Sequence, residues 1–328
     1  MSHTLRLTRR LIAGLAVALV CLPLHLIAQS FPDKPIRLIV PFPPGGASDI
    51  FARVIGEKLV SAIGQPIVVE NRPGAGGLIA AELVAKSGAD GYTLLLGSSS
   101  THGTNSVVFK KLPYDPVRDF APISMLARLN FALHASAMFP ARTAGELAAL
   151  AKEQPGKINY ASYGIGSSTH LMMELLISMT GINLVHVPFK GSTAAQMGMV
   201  ANDVQVMFDG IANASAHVKS GKLKIIAVGS GKRSPTVPEV PTVSESGVPG
   251  FDVSSYYAIF APAGTPRNVV TTLNREFVRA IRLPDIRKWL TTQAYEEVGS
   301  TPEELAEAVT REIAKWKQLV QERNLKFD

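Results

Sequence analysis

Cysteine is almost absent from this chain of 328 residues, which contains a single one at Cys21. That cysteine lies in an N-terminal segment that we expect to be removed on export, so the mature chain would have no thiol. Disulfides, thiolate metal sites and covalent cysteine catalysis are therefore excluded for the mature chain.

Sequence motifs that accompany common enzyme classes are also absent. The chain has no G-x-S-x-G elbow, no G-x-x-x-x-G-K-[ST] loop, and no H-x-x-x-H or H-E-x-x-H pair. Hydrolases, nucleotide enzymes and zinc enzymes of those kinds are thereby disfavoured. Basic residues are dispersed and no aromatic residues alternate with them, which disfavours a nucleic-acid partner.

The N-terminal segment has the pattern of a secretory signal peptide. Three arginines within the first ten residues precede an apolar run over residues 11–20, which continues less purely to Ile27. The run is too short to predict a membrane span, and residues 28–30 supply small side chains where a signal peptidase needs them. We predict cleavage before Phe31, which lowers the formal net charge from +7 to +4. A twin-arginine signal and a lipid anchor at Cys21 are weaker alternatives.

Short β-rich runs alternate with helical segments from end to end, which predicts an α/β fold with a mostly parallel sheet in each domain. About 300 residues remain after cleavage, and that length favours two lobes over one core. Two extended runs, residues 123–135 and 251–260, are suited to carry the chain between the lobes. A final helix, with Thr301 as N-cap and Glu304 completing a capping box, should return to the first lobe.

These features predict a discontinuous two-lobed architecture. The first lobe comprises residues 31–128 and 256–328, and the second lobe comprises residues 129–255. Two crossing segments between lobes permit closure about a hinge.

A proline- and glycine-rich loop, residues 41–49, joins the first predicted strand to the first helix. Helix N-termini carry unpaired amide donors and the positive end of the helix dipole, so this loop suits an anion. Its candidate ligand-binding residues are Phe42, Pro44, Gly45, Gly46 and Asp49. Asp49 has three open roles: to complement the dipole, to grip a ligand hydroxyl or amine, or to exclude multiply charged ligands. The alternative is a plain tight turn in which Ser48 caps the helix.

A second loop of the same kind, residues 163–170, also joins a strand to a helix. If it faces the first loop across a cleft, its amides and hydroxyls can bind a carboxylate, each hydrogen bond contributing about 1.5–3 kcal/mol. A dinucleotide-binding fingerprint does not fit, because no acidic residue follows at the required spacing. For His170, packing or capping and ligand contact remain open. The candidate residues are Tyr163, Gly164, Gly166, Ser167, Ser168 and His170.

Further candidates follow other predicted strands. Lys190 supplies a cation after one strand of the second lobe, and Asp209 supplies an acid after another. Ser98 and Ser99 follow a first-lobe strand. Loops at strand ends commonly line ligand clefts, although a solvated lysine and an ordinary polar loop are the alternatives.

The mature sequence closely resembles the Bug family, the periplasmic substrate-binding proteins of tripartite tricarboxylate transporters. The segments that carry the resemblance are FPDKPI at 31–36, PFPPGGASD at 41–49, VENRPGAGG at 69–77, DGYTL at 90–94, LPYDP at 112–116 and FAPAGTP at 260–266. The resemblance implies a type II periplasmic binding protein fold, with a ligand cleft between two α/β lobes joined by two crossing segments.

The resemblance also implies a ligand and a partner. The ligand would be a dicarboxylate, a tricarboxylate, an acidic amino acid or an aromatic acid, passed to a membrane permease of one large and one small subunit. Residues 42–49 would meet the ligand carboxylate, and residues 164–170 and Asp209 would complete the site. Tyr256 stands where the family usually has tryptophan, and we expect it to line the cleft.

The leading hypothesis is capture of a small carboxylate without turnover by a periplasmic, monomeric protein with no cofactor and no metal. The same fold and site would serve a ligand-sensing partner of a membrane sensor kinase. A third alternative is an enzyme on this scaffold, which would need a nucleophile or base that the sequence does not display.

Overall fold

The computed structural model describes residues 31–327 of the chain. The predicted signal peptide, residues 1–30, lies outside the described residues. Residues from Lys34 onward form one compact unit, to which the elements below belong. Within the described part, no helix combines the length and apolar character needed to cross a membrane.

Strands and helices alternate along the described part of the chain. The strands are β1 (Ile36–Val40), β2 (Ile67–Asn71), β3 (Thr93–Gly97), β4 (Phe120–Leu129), β5 (Phe131–Ser136), β6 (Asn159–Ser162), β7 (Val185–Pro188), β8 (Val206–Gly210), β9 (Leu223–Val228), β10 (Ser255–Pro262) and β11 (Tyr295–Glu297). The α-helices are α1 (Ala47–Ile63), α2 (Leu78–Ala85), α3 (Asn105–Val108), α4 (Ala144–Glu153), α5 (Ser168–Thr180), α6 (Ser192–Val200), α7 (Ser215–Lys219), α8 (Arg267–Ile281), α9 (Pro284–Thr292) and α10 (Pro302–Arg323).

The strands form two sheets. The first sheet has the order β11-β4-β10-β3-β1-β2, and the second has the order β7-β6-β8-β5-β9. In the first sheet β1 pairs in parallel with β2 and β3, and in the second β6 pairs in parallel with β7 and β8. Nearly all side chains of β1 and β3 are buried, as expected for strands covered on both faces.

The prediction of mostly parallel sheets is wrong for the strand pairing, which is mixed in both sheets. β10 pairs antiparallel with β3 and β4, and β5 pairs antiparallel with β8 and β9. The cause is the path of the chain between the sheets. Phe131, the first residue of β5, pairs with Gly210, the last of β8, and Ser255, the first of β10, pairs with Leu129, the last of β4. β5 and β10 therefore begin beside the last residues of their neighbours and run in the opposite direction.

The chain passes from the first sheet to the second at Asn130, between β4 and β5. The sequence had suggested one continuous extended run over residues 123–135. Asn130 divides that run into two strands of different sheets. The backbone therefore changes sheets without an intervening loop.

Local signals placed several helix ends. Gly64 ends α1 in the left-handed conformation with φ 71°, and its amide donates to the Val60 carbonyl. Thr301 and Glu304 form the predicted capping box at the start of α10. At α4 only half of a capping box forms. The N-cap side chain of Thr143 accepts from the Glu146 amide, but the Glu146 carboxylate accepts from the Arg142 amide and not from that of Thr143.

Helix α10 packs against the cores of both sheets, so the prediction that it returns to the first lobe is incomplete. Leu305 and Val309 belong to the apolar core of the first sheet. Trp316 and Leu319, two to three turns later, belong to the core of the second. At a rise of 1.5 Å per residue, a helix of this length spans both cores.

Candidate ligand-binding site

A cavity of about 920 Å³ lies where the carboxyl ends of the two sheets meet. Loops after β1, β3, β6, β7 and β8 form its walls, together with the crossing strands. Ten of the predicted residues line this cavity: Phe42, Pro44, Gly45, Gly46, Ser98, Tyr163, Gly166, Ser167, Ser168 and Lys190. The other six lie behind the walls: Asp49, Ser99, Gly164, His170, Asp209 and Tyr256.

The N-terminus of α1 opens on the cavity. Gly46 is the N-cap residue, with extended backbone angles (φ −80°, ψ 169°), and no side chain caps this helix in the described structure. The prediction that Ser48 is the N-cap is wrong, because the N-cap lies two residues earlier and Ser48 is in the first turn of the helix. Ala47 and Ser48 both line the cavity, so first-turn amides are available to an anion.

Asp49 holds the first loop from behind. Its Oδ2 accepts a hydrogen bond of 2.9 Å from the Gly45 amide, and its Oδ1 lies 3.0 Å from Nη2 of Arg53. The hydrogen bond from Arg53 lowers the pKa of Asp49, so this carboxyl is ionised at neutral pH. The Gly45 amide is therefore occupied, and Gly45 contributes its left-handed conformation, φ 78°, rather than a donor.

The second loop is built in the same way around His170. The Gly166 amide donates to Nδ1 of His170 over 3.0 Å, and the His170 amide donates to Oγ of Ser167 over 3.3 Å. The His170 ring is buried and stacks on His186, with ring centroids 3.9 Å apart. Of the two alternatives for His170, the structure favours packing and capping, since the ring does not reach the cavity.

Acid should destabilise the fold through this histidine pair. Burial lowers the pKa of His170 and of His186 to about 4, from an ordinary value of 6.5. Between pH 6.5 and 4 the unfolded chain binds protons that the folded chain does not, so stability is complete above pH 6.5 and falls as the pH drops. For His170 we expect a loss of about 1–2 kcal/mol in unfolding free energy between pH 7 and pH 5.

Urea unfolding at pH 7, 6 and 5 measures this loss. His170→Gln, which keeps an acceptor for the Gly166 amide, should reduce the pH dependence by the contribution of this one histidine, because burial also lowers the pKa of His186, His102 and His134. His217→Gln on α7, a helix with no buried side chains, should leave it unchanged. An equal slope in the His170 variant and the wild-type protein would contradict the assignment.

A third helix N-terminus, that of α6, also faces the cavity. Gly191 is its N-cap, with φ 94°, and no side chain caps the helix in the described structure. Lys190, Gly191 and Ser192 line the cavity, and Lys190 is the only charged side chain among the lining residues of the described chain. The order of strand, glycine and helix in this segment could have predicted the helix N-terminus. Of its residues, only Lys190 was predicted to bind the ligand.

Asp209 lies beneath the cavity wall and is fully buried. Its carboxylate accepts hydrogen bonds from Tyr163, Ser192 and Asn213, three residues that line the cavity. The predicted contact between Asp209 and a ligand is therefore indirect in this arrangement, because lining side chains lie in between.

Tyr256 does not line the cleft, in contrast to the prediction. Its side chain is 5% exposed and packs in the core of the first sheet with Phe260. Successive side chains of a strand point to opposite faces, so the next residue, Tyr257, lines the cavity instead. The substitution at position 256 therefore bears on core packing.

Gly164 and Ser99 also miss the cavity for local reasons. The Gly164 carbonyl accepts from Oγ of Ser162 over 3.0 Å and from Oγ of Ser167 over 2.7 Å, which turns the loop. Ser99 is 1% exposed and lies behind the wall, whereas its neighbour Ser98 lines the cavity.

Most of the apolar wall was not predicted from the sequence. Val108, Phe109 and Phe131 line the cavity, as do Tyr257 and Tyr295. Val108 and Phe109 lie at the C-terminal end of α3, and the other three residues lie in β5, β10 and β11. No glycine-rich loop or helix start adjoins them in the sequence, so no local pattern predicts that they line the cleft. Within residues 31–327, no three His, Cys, Asp or Glu side chains are grouped to hold a metal ion.

Residues 51–325 match the family model described as the tripartite tricarboxylate transporter family receptor. The chain belongs to this family. It is 34% identical to BugT of Bordetella pertussis over 98% of this chain and 100% of BugT. The Bug-family resemblance is thus confirmed, and members of this family are binding proteins rather than enzymes.

Solved structures of family proteins share the fold. An R. palustris protein with adipate superimposes with a TM-score of 0.80 at 33% identity, covering 89% of this chain and 97% of that protein. MatC from Rhodopseudomonas palustris with bound malate has a TM-score of 0.78 at 36% identity, covering 88% of this chain and 100% of MatC. The predicted periplasmic binding protein fold of type II is confirmed.

Proposed function

We propose that this family receptor captures a small organic carboxylate in the periplasm and passes it to the permease subunits of a tripartite tricarboxylate-type transporter. Residues 1–30 would direct its export. The ligand would be released from the protein without any chemical change.

The charge distribution of the cavity carries this proposal. The N-termini of α1, α5 and α6 border it, Lys190 is its charged lining side chain, and no carboxylate of the described chain lines it. Each helix N-terminus favours negative charge by about 0.3–1 kcal/mol at an exposed position, and by more where partly buried. The apolar wall would receive the carbon skeleton of the ligand.

Closure of two lobes would enclose the ligand. We propose that the first sheet, with residues 31–128 and 256–328, and the second sheet, with residues 129–255, move relative to each other at the two crossings. Asn130 and Ser255 both line the cavity at these crossings, which supports a hinge at the floor of the site.

The structures of relatives with adipate and with malate support a carboxylate ligand. Thermal-shift titration with a panel that includes both acids tests the proposal, with the matching diamides as uncharged controls. We expect at least one acid to raise the melting temperature in proportion to the logarithm of its concentration, and mass spectrometry to recover it unaltered. A panel in which no acid shifts the transition, or in which the acid is converted, would overturn the proposal.

A further inference from the structure

Both oxygens of the Asp209 carboxylate are saturated by donors from the protein. Oδ1 accepts from the Tyr163 hydroxyl, from the Gly210 amide at 2.7 Å and from Nδ2 of Asn213 at 3.0 Å. Oδ2 accepts from Oγ of Ser192 at 2.9 Å and from Nε2 of Gln196 at 2.7 Å. A carboxylate has about four acceptor positions, so Asp209 has no capacity left for a ligand.

This saturation fixes where the hydroxyl protons point. A carboxylate can only accept, so Tyr163 and Ser192 must direct their protons at Asp209 and away from the cavity that both residues line. Burial raises the pKa of the Tyr163 phenol well above its ordinary value, so the phenol keeps its proton. Oγ of Ser192 also accepts from Nε2 of Gln196 at 2.9 Å, so one of its lone pairs is already used. Each of the two hydroxyls can therefore act toward a ligand only as a hydrogen-bond acceptor.

Asn213 completes the same surface. One proton of its Nδ2 is donated to Asp209, and its carbonyl oxygen is a further acceptor. This part of the wall, formed by Tyr163, Ser192 and Asn213, is therefore an acceptor surface above a buried negative charge. The two hydroxyl oxygens of this surface have no proton to give to a ligand carboxylate, whereas an O–H or N–H group of a ligand can donate to them.

Building on the proposed function, we propose that the ligand is a carboxylate that also bears a hydroxyl or ammonium group, and that this donor binds the oxygen of Tyr163. Asp209 is a positioning residue in this arrangement, because it orients the acceptors without touching the ligand. The carboxylate itself would bind at the helix N-termini. A site that hydrogen-bonds a ligand donor rejects analogues that lack it, since the buried acceptor is left unpaired.

Two matched series of acids test the proposal by titration calorimetry of the purified protein. Succinate, malate and aspartate differ at one carbon by H, OH and NH₃⁺, and 3-phenylpropionate, 3-phenyllactate and phenylalanine repeat the comparison on an aromatic skeleton. We expect the hydroxyl or ammonium member of the series that binds to do so roughly tenfold or more tightly than its parent acid. The comparison of OH with NH₃⁺ identifies which donor is preferred.

The outcomes separate the two proposals. If acids bind but the parent acid binds as tightly as its substituted analogues, the donor proposal is overturned and the carboxylate function stands. If no acid of either series binds and adipate also fails, both proposals fall.

Variants of the acceptor surface provide a second readout. Tyr163→Phe removes one acceptor and keeps the ring, so the preference for the donor-bearing acid should fall about fivefold while the affinity for the parent acid changes little. Asp209→Asn replaces one of the two carboxylate oxygens with an NH₂ group, which donates to either Tyr163 or Ser192. The hydroxyl that faces this group can then turn its proton toward the cavity, so the preference should fall. Tyr160→Phe is the matched control, because the Tyr160 hydroxyl donates to Glu174 in the core. An unchanged preference in Tyr163→Phe would refute the role of this oxygen.

Discussion

Gly166→Ala should weaken carboxylate binding roughly tenfold or more. A Cβ atom at this position would lie 2.5 Å from Cγ1 of Val108, and the backbone has φ 74°. Val108 belongs to α3, which lies between β3 and β4 of the first sheet, whereas Gly166 lies between β6 of the second sheet and α5, so this contact joins the two sides of the cavity. Overpacking typically costs 1–3 kcal/mol, and 1.4 kcal/mol corresponds to a factor of ten in affinity. Titration calorimetry of the variant with the best ligand of the panel measures the loss.

Gly181 provides a matched control at the other end of the same helix. It has φ 68°, and a Cβ there would meet nothing within 4 Å. Gly181→Ala should therefore lower stability by about 1–2 kcal/mol through backbone strain alone and leave the affinity unchanged. Val108→Ala combined with Gly166→Ala should restore most of the binding, because the contacting methyl groups are removed. Equal affinities of the two single variants would show that close approach at Gly166 is not required.

The loops that border the cavity could be predicted from the sequence because their signals are local. Glycine and proline directly after an apolar strand, followed by a helical pattern, mark the same unit before α1 and before α5. In a sheet whose parallel strands are joined by helices, these loops gather at one edge, which is why residues far apart in sequence were correctly placed at one cavity. The same reasoning predicted Lys190 as a site residue but did not predict that the N-terminus of α6, directly after it, also borders the cavity.

The direction of individual side chains could not be predicted in the same way. Tyr256 and Tyr257 are adjacent tyrosines of one strand, and only the register of β10 between β3 and β4 decides which of them faces the cavity. Asp49, His170 and Asp209 were predicted to bind the ligand, but none of them lines the cavity, and each bonds the backbone or side chains of its own wall. Their partners become visible only when the loop conformation is known.

The C-terminal helix connects the two sides of the molecule in a way that bears on closure. Leu305 and Val309 pack in the core of the first sheet, and Trp316 and Leu319 pack in the core of the second. Any relative motion of the lobes must therefore preserve these contacts or bend the helix between them. The helix would favour a small closing rotation about the crossings over a wide separation of the lobes.

Trp316→Ala should lower the free energy of unfolding by about 3–5 kcal/mol, the usual cost of truncating a fully buried aromatic side chain. Trp316 has 0% exposure, and its Nε1 donates over 3.1 Å to Glu312, a carboxyl whose pKa is raised by burial. The truncation thus leaves both a cavity and an unpaired acceptor. Because the helix is then released from the second core, we also expect urea unfolding to separate into two transitions, followed by circular dichroism.

Trp289, the other tryptophan of the chain, supplies the comparison. It is half-buried on α9, with its ring centroid 6.0 Å from that of Phe51 and 6.2 Å from that of Tyr295, within the first-sheet side alone. Trp289→Ala should cost less and keep a single transition, since no contact between the two cores is lost. If Trp316→Ala unfolds in one step with the stability of the Trp289 variant, α10 does not couple the lobes, and the limit that it places on closure disappears with it.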